Sequence, residues 1–197
     1  MLRRKWSRRA GNSQHDERIA KIVHSVDLAI RQIFPEHYFG LGHAYAVVGS
    51  NVASIILERE FRPVAGLAVI DCGAGAMMRL VDNDSFSRPI GGAYHCWIES
   101  CPYDDESKEL LDIPYKHNET YAKAIGMQWK HASSNYLWGN FKDFVLDGEL
   151  HELPNIFPSG KLWLKETPEG ARWISAHLAE HEKIYTKLTA LALNWDW

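Results

Sequence analysis

Two predicted strands carry the clearest chemistry in this chain: Ala93 to Glu99 (AYHCWIE) and Glu109 to Ile113 (ELLDI). Both are aromatic or β-branched, and the turn-forming segment Pro102 to Ser107 (PYDDES) separates them, so they read as an antiparallel hairpin. His95 lies on the first strand and Asp112 on the second. Across such a pair a carboxylate can hydrogen-bond an imidazole, fix its tautomer and support its charged form. The plain alternative is a half-buried histidine satisfied by a carboxylate. Upstream, a predicted helix begins near Gly42 and His43. A reacting group at the N-terminus of a buried helix gains from the helix dipole and from free backbone N–H groups, which can also hold an oxyanion.

Other groupings are weaker. His177-Leu-Ala-Glu180-His181 matches H-x-x-E-H, the inverted zinc-peptidase pattern, in which two histidines one turn apart bind a metal beside a glutamate. It lacks a downstream third ligand other than Asp196, and an amphipathic helix rich in histidine is the plain reading. His43, His95 and Asp112 could form a metal set of two imidazoles and a carboxylate. Gly73-Ala-Gly75 follows a strand, but lacks the remainder of a phosphate loop and reads as a hairpin turn. Cys72, Cys96 and Cys101 have no zinc spacing and read as small apolar fillers. Cys96 adjoins His95 on a strand, so their side chains point to opposite faces and cannot pair as nucleophile and base.

The surrounding pattern predicts what positions these residues. Ile19, Ile22, Val23, Val26, Ile30 and Ile33 make one face of a helix over 16–34, which Pro35 ends. Residues 37–42 form a loop. Residues 43–60 form a second helix, apolar around most of its circumference and therefore packed on most sides. Strands follow at 62–70 and 77–81, then a loop over 82–92. After the hairpin, 115–125 is helical and 128–165 is aromatic-rich and irregular. Thr167-Pro168 caps a long final helix, whose stripe runs from Trp173 through His177, His181, Tyr185 and Leu188 to Trp195. Helices, then an antiparallel sheet, then helices define an α+β fold.

The 197 residues suit one domain, and 46% hydrophobic with 24% charged is a globular balance. Residues 1–15 read as a basic flexible arm and 16–197 as the domain. Five of the 22 basic residues, Arg3, Arg4, Lys5, Arg8 and Arg9, fall in the first nine positions. The rest of the chain has 17 against 25 acidic residues. No basic stripe continues into this acidic body, which argues against nucleic acid as a partner. No apolar run spans a bilayer and no secretory signal is present, so no membrane partner is expected. Three cysteines suit a reducing cytoplasm. The Trp195–Trp197 tail packs within the chain or makes a homo-oligomer contact.

A helix of small residues, then Val64-Ala65-Gly66 on a strand, then H-x-W-[IL]-E at His95 to Glu99, then L-L-D at Leu110 to Asp112, occur in that order. This order resembles the transglutaminase-like branch of the papain-type cysteine proteinase superfamily, and within it a bacterial family of unknown function. The likeness spans about residues 40–115. It implies a central helix packed on an antiparallel sheet with flanking helices, and a Cys–His–Asp triad for acyl transfer that uses no metal or other cofactor. His95 matches the family histidine and Asp112 the acid that orients it. Aligning Ala46 and Gly49 on the family's small-residue steps puts the nucleophilic cysteine's place at Gly42, beside His43.

Glycine cannot attack a carbonyl. The expectation is therefore a cysteine-proteinase-like or transglutaminase-like protein that keeps the His–Asp pair, is inactive in this form and takes an unknown peptide or small amide ligand. Two alternatives stand beside it. One is a hydrolase or acyl transferase whose attacking group is His43, Ser50, Cys72 or a water activated by His95. The other is a His/Asp metal-dependent hydrolase.

Overall fold

The computed structural model describes residues 13–87, 93–101, 107–130, 134–158 and 160–195. Most of the basic arm, residues 1–12, lies outside them, as do most of the acidic turn and the last two residues, Asp196 and Trp197. Ser13 to His15, assigned by sequence to the arm, belong to the first helix, and the His15 ring lies 4.8 Å from that of Trp138.

Helix α1 (Ser13–Ile33) buries Ile19, Ile22, Val26 and Ile30 completely, the face its periodicity predicts. A short turn over Tyr38–Gly40 leads into α2 (Gly42–Leu57), which is buried from Ala44 through Ser50. The left-handed Glu58 (φ 53°) ends it, three residues short of the expected end at residue 60. Strand β1 (Phe61–Gly73) turns through Gly73, Ala74 and Gly75, all at positive φ, into β2 (Ala76–Leu80). This is the expected hairpin and not a phosphate loop. The hairpin of β3 (His95–Ser100) and β4 (Glu109–Asp112) pairs Ile98 with Leu111 and Glu99 with Leu110.

After α3 (Asn118–Ala124), the segment expected to be irregular contributes two strands to the same sheet. These are β5 (Leu137–Asn140), which pairs with β4 and is followed by the single-turn α4 (Phe141–Phe144), and β6 (Leu162–Glu166), which pairs with β1. All named strand pairs are antiparallel. Gly66 pairs with both His95 and Glu166, so β3 and β6 flank β1 on opposite edges there. A Cβ at Gly66 would meet the Lys165 carbonyl oxygen at 2.1 Å, so only glycine lets β6 come this close.

The C-terminal stripe is also divided. Helix α5 (Pro168–Glu180) starts at Thr167, whose hydroxyl accepts from Gly170 N–H, and it stops at His181. Helix α6 (Glu182–Leu193) follows. The two halves have different neighbours: α5 lies on β1, while α6 packs with α1 and α2. A straight helix could not follow both surfaces.

One face of the sheet presents Ala65, Cys96, Ile98 and Leu111 to a core built by α1, α2 and α6. The other buries Val64, Trp97 and Leu110. Helix α2 sits tight on the sheet, since a Cβ at Gly49 would lie 2.6 Å from both Ile98 Cδ1 and Ile113 Cδ1. Among the described residues no helix is long and apolar enough to cross a membrane.

Candidate functional site

His95 Nε2 lies 2.8 Å from Asp112 Oδ2, and both side chains are buried, with Asp112 fully so. Continuing the β3–β4 register by one residue sets Asp112 opposite Trp97, so His95 reaches it diagonally along one face of the sheet. The Trp97 indole lies nearly parallel to the imidazole, at 16° and 6.2 Å. Its N–H donates to Glu99 Oε1 at 2.9 Å, and Glu99 is held in turn by Arg62 at 2.8 Å. Each layer fixes the next, so the imidazole plane has little freedom.

A carboxylate only accepts, so Nε2 carries the hydrogen of this bond. The sequence argument leads to the reverse expectation, Nδ1 on the acid. The ring instead gives Nε2 to the acid, so Nδ1 is the nitrogen the acid does not engage. Asp112 Oδ1 is buried without a hydrogen-bond partner.

His95 opens onto a cleft of about 310 Å³ lined by Gly42, Tyr94, Cys96, His117, Asn118 and neighbours. Gly42 is the first residue of α2, so the cleft meets the positive end of a 16-residue helix. Its glycine answers no backbone demand. Its φ is not in the left-handed region, and a Cβ there would touch only Cys96 Cβ, at 3.9 Å. The backbone therefore accepts a side chain where the sequence has none.

No thiol substitutes for it. Cys96 borders the cleft, but burial and the nearby Asp112 carboxylate push its thiol well up, so it stays protonated. It lies on the face of β3 opposite His95, as strand alternation requires. Cys72 is buried in the core on the sheet face that carries Trp97, among residues such as Val64 and Met78, and it does not line the cleft. Cys101 departs from the filler expectation, because it is exposed. The Ser50 hydroxyl is buried and donates to the Val47 carbonyl.

The cleft also holds two polar groups that the sequence reading missed. His117 Nε2 lies 3.2 Å from the Tyr45 hydroxyl, which donates to Asp27 Oδ1 at 2.8 Å. Since the one hydroxyl hydrogen goes to Asp27, His117 donates from Nε2 and keeps Nδ1 as an acceptor. Burial, with Lys116 beside it, lowers His117 to about 4, so this imidazole is neutral. Although burial alone would raise Asp27, hydrogen bonds from Lys116 and Tyr45 and the charges of Lys116 and Arg31 hold it below the ordinary carboxylate value. Asn118 is 6% exposed and its Nδ2 has no partner, so a buried amide donor borders the cleft unpaired. The chain separation of Asp27, Tyr45 and His117 leaves no local spacing to read, although Lys116-His117-Asn118 directly follows the hairpin that carries Asp112.

His43 does not join His95 and Asp112. It turns away from the cleft into a separate cavity, where its ring lies 4.6 Å from that of His177. The expected metal set of two imidazoles and a carboxylate is therefore not assembled. Among the described residues no group of three potential ligands is arranged to hold a metal, and this includes the H-x-x-E-H segment.

The fold is similar to that of a solved protein described as "The crystal structure of genomics APC5867", with a TM-score of 0.57 and 16% identity. The match covers 91% of this chain and 77% of that one, and at such identity the likeness is one of fold. No protein-family model and no curated protein matches the chain.

Proposed function

We propose that the cleft is a catalytically silent site of the papain or transglutaminase type, which binds a peptide or small amide ligand without forming a covalent bond to it. One observation carries this reading. The residue that begins α2 and shares the cleft with the His95–Asp112 pair is Gly42, while the neighbouring thiol of Cys96 is buried and held protonated.

The groups around the cleft suit an amide. His95 Nδ1 and His117 Nδ1 can accept its N–H, and the unpaired Asn118 Nδ2 can donate to its carbonyl. A buried donor that lacks a partner costs about 1–3 kcal/mol, which a ligand carbonyl would recover. The resemblance over residues 40–115 and the α+β architecture support the fold assignment behind this reading. Unpaired cysteines suit a reducing compartment such as the cytoplasm.

A panel of N-acetylated dipeptide amides, read by thermal shift, tests the proposal. A binder should stabilise the full chain, and His95→Ala and Asn118→Ala should each weaken it. A panel without any binder, or binding indifferent to both substitutions, would contradict it.

The intact His–Asp pair favours a second reading, in which His95 activates a water for hydrolysis. Turnover of a p-nitrophenyl acyl ester that disappears in His95→Ala would select this reading over silent binding.

A further inference from the structure

The second cavity, of about 290 Å³, lies between α2, α5 and α6 and is walled by Phe34, Leu41, Ile184 and Leu188. Three imidazoles border it: His43 from the first turn of α2, and His177 and His181 from the end of α5. The rings form a chain, His43 to His177 at 4.6 Å and His177 to His181 at 4.4 Å. Trp173 stacks on His177 at 11° and fixes its plane.

Two features of this cluster need a partner that the described residues do not supply. His43 Nδ1 is buried without a hydrogen bond. Among the described residues no acid lines the cavity. The titratable groups that face His43 are His177 and His181 on α5, while α6 adds only Tyr185. The acids that adjoin His181 in sequence, Glu180 and Glu182, are both exposed, and Glu180 lies 4.0 Å from His181. Burial and the neighbouring imidazoles hold His43 down at about 4, and burial and His181 lower His177. Among the described residues the cluster has no acidic partner, and the remaining wall is apolar apart from Tyr185.

We propose that this cavity binds an apolar monocarboxylate, such as a medium-chain fatty acid, with its carboxylate against His43, His177 and His181 and its chain among Phe34, Leu41, Ile184 and Leu188. The anion supplies the missing counter-charge, and an imidazole takes up one proton from solvent as it binds. The first turn of α2 adds its positive dipole end. The volume lies near the lower end of the ~300–1,000 Å³ usual for ligand pockets, so the ligand is small. This site does not share the His95 cleft and does not depend on the reading given for it.

Calorimetric titration of the full chain with sodium octanoate, in two buffers of different ionisation enthalpy, tests the proposal. Octanoate should bind with uptake of about one proton, more tightly at about pH 6 than at about pH 8. It should bind at least about tenfold more tightly than 1-octanol, which has the chain without the charge. His43→Phe should weaken octanoate by about tenfold, and so should His177→Gln, which leaves the first turn of α2 untouched. His95→Ala should bind as the wild type does. Equal affinity for octanoate and octanol, the absence of proton uptake, or no binding by the folded wild-type chain would overturn the proposal.

Discussion

Asp112 Oδ2 accepts from His95 Nε2 at 2.8 Å, while its second oxygen, Oδ1, is buried without a partner. A fully buried carboxylate with one of its oxygens unmatched is held mainly by that imidazole. The pair should therefore be coupled in stability. In a double-mutant cycle of His95→Ala, Asp112→Ala and both together, the account expects a coupling energy of about 1–3 kcal/mol by urea denaturation. Simple additivity would mean that the contact contributes nothing to the fold.

Three glycines differ in how far the fold requires them. A Cβ at Gly66 would strike the Lys165 carbonyl oxygen at 2.1 Å, and one at Gly49 would press two isoleucine methyls at 2.6 Å, whereas one at Gly42 meets only Cys96 Cβ at 3.9 Å. Gly49→Ala should cost about 1–3 kcal/mol through overpacking. Gly66→Ala should cost more, because backbone and not a side-chain tip stands in the way. Gly42→Ala should stay within about 0.5 kcal/mol of the wild type, or improve on it. If Gly42→Ala were the most damaging, glycine there would be a structural requirement and not an absent nucleophile.

His43 and His117 are both neutral in the fold and lowered to about 4, against 6.5 for the free side chain. Between those values the unfolded chain binds more protons, so stability is complete above about pH 6.5 and falls as the pH drops towards 4. Urea midpoints measured across this range should decline, and His43→Phe should show a shallower decline. Parallel curves for the wild type and His43→Phe would show that burial of His43 does not govern the acid limb.

The sequence disclosed those features whose signal is local. The apolar stripe of α1, the wrapped circumference of α2 and the alternation around His95 and Asp112 each depend on neighbours a few residues apart. Strand alternation alone sets Cys96 and His95 on opposite faces. What stayed hidden depends on distant partners. Strand β6 is defined by pairing with β1, about a hundred residues earlier, and β5 is a four-residue strand containing a glycine at φ 150°. The break at His181 has no proline or glycine to announce it, since it follows from the different surfaces on which α5 and α6 lie. The Asp27–Tyr45–His117 chain crosses three separate elements. The exchange of Nδ1 for Nε2 on His95 depends on a diagonal reach along the sheet that residue types cannot specify.

Restoring a thiol at position 42 tests the central claim most directly. Cβ atoms at 42 and 96 would be 3.9 Å apart, within the ~3.5–4.5 Å of a disulfide, so the experiment is done as Gly42→Cys in a Cys96→Ala background. Iodoacetamide alkylation at residue 42 is followed across pH by mass spectrometry of the peptide, which separates it from the exposed Cys101. The account expects an apparent thiol pKa at least about one unit below the ordinary ~8.5, rising towards that value when His95→Ala is added. A thiol at 42 that titrates near its ordinary value, with or without His95, would contradict it.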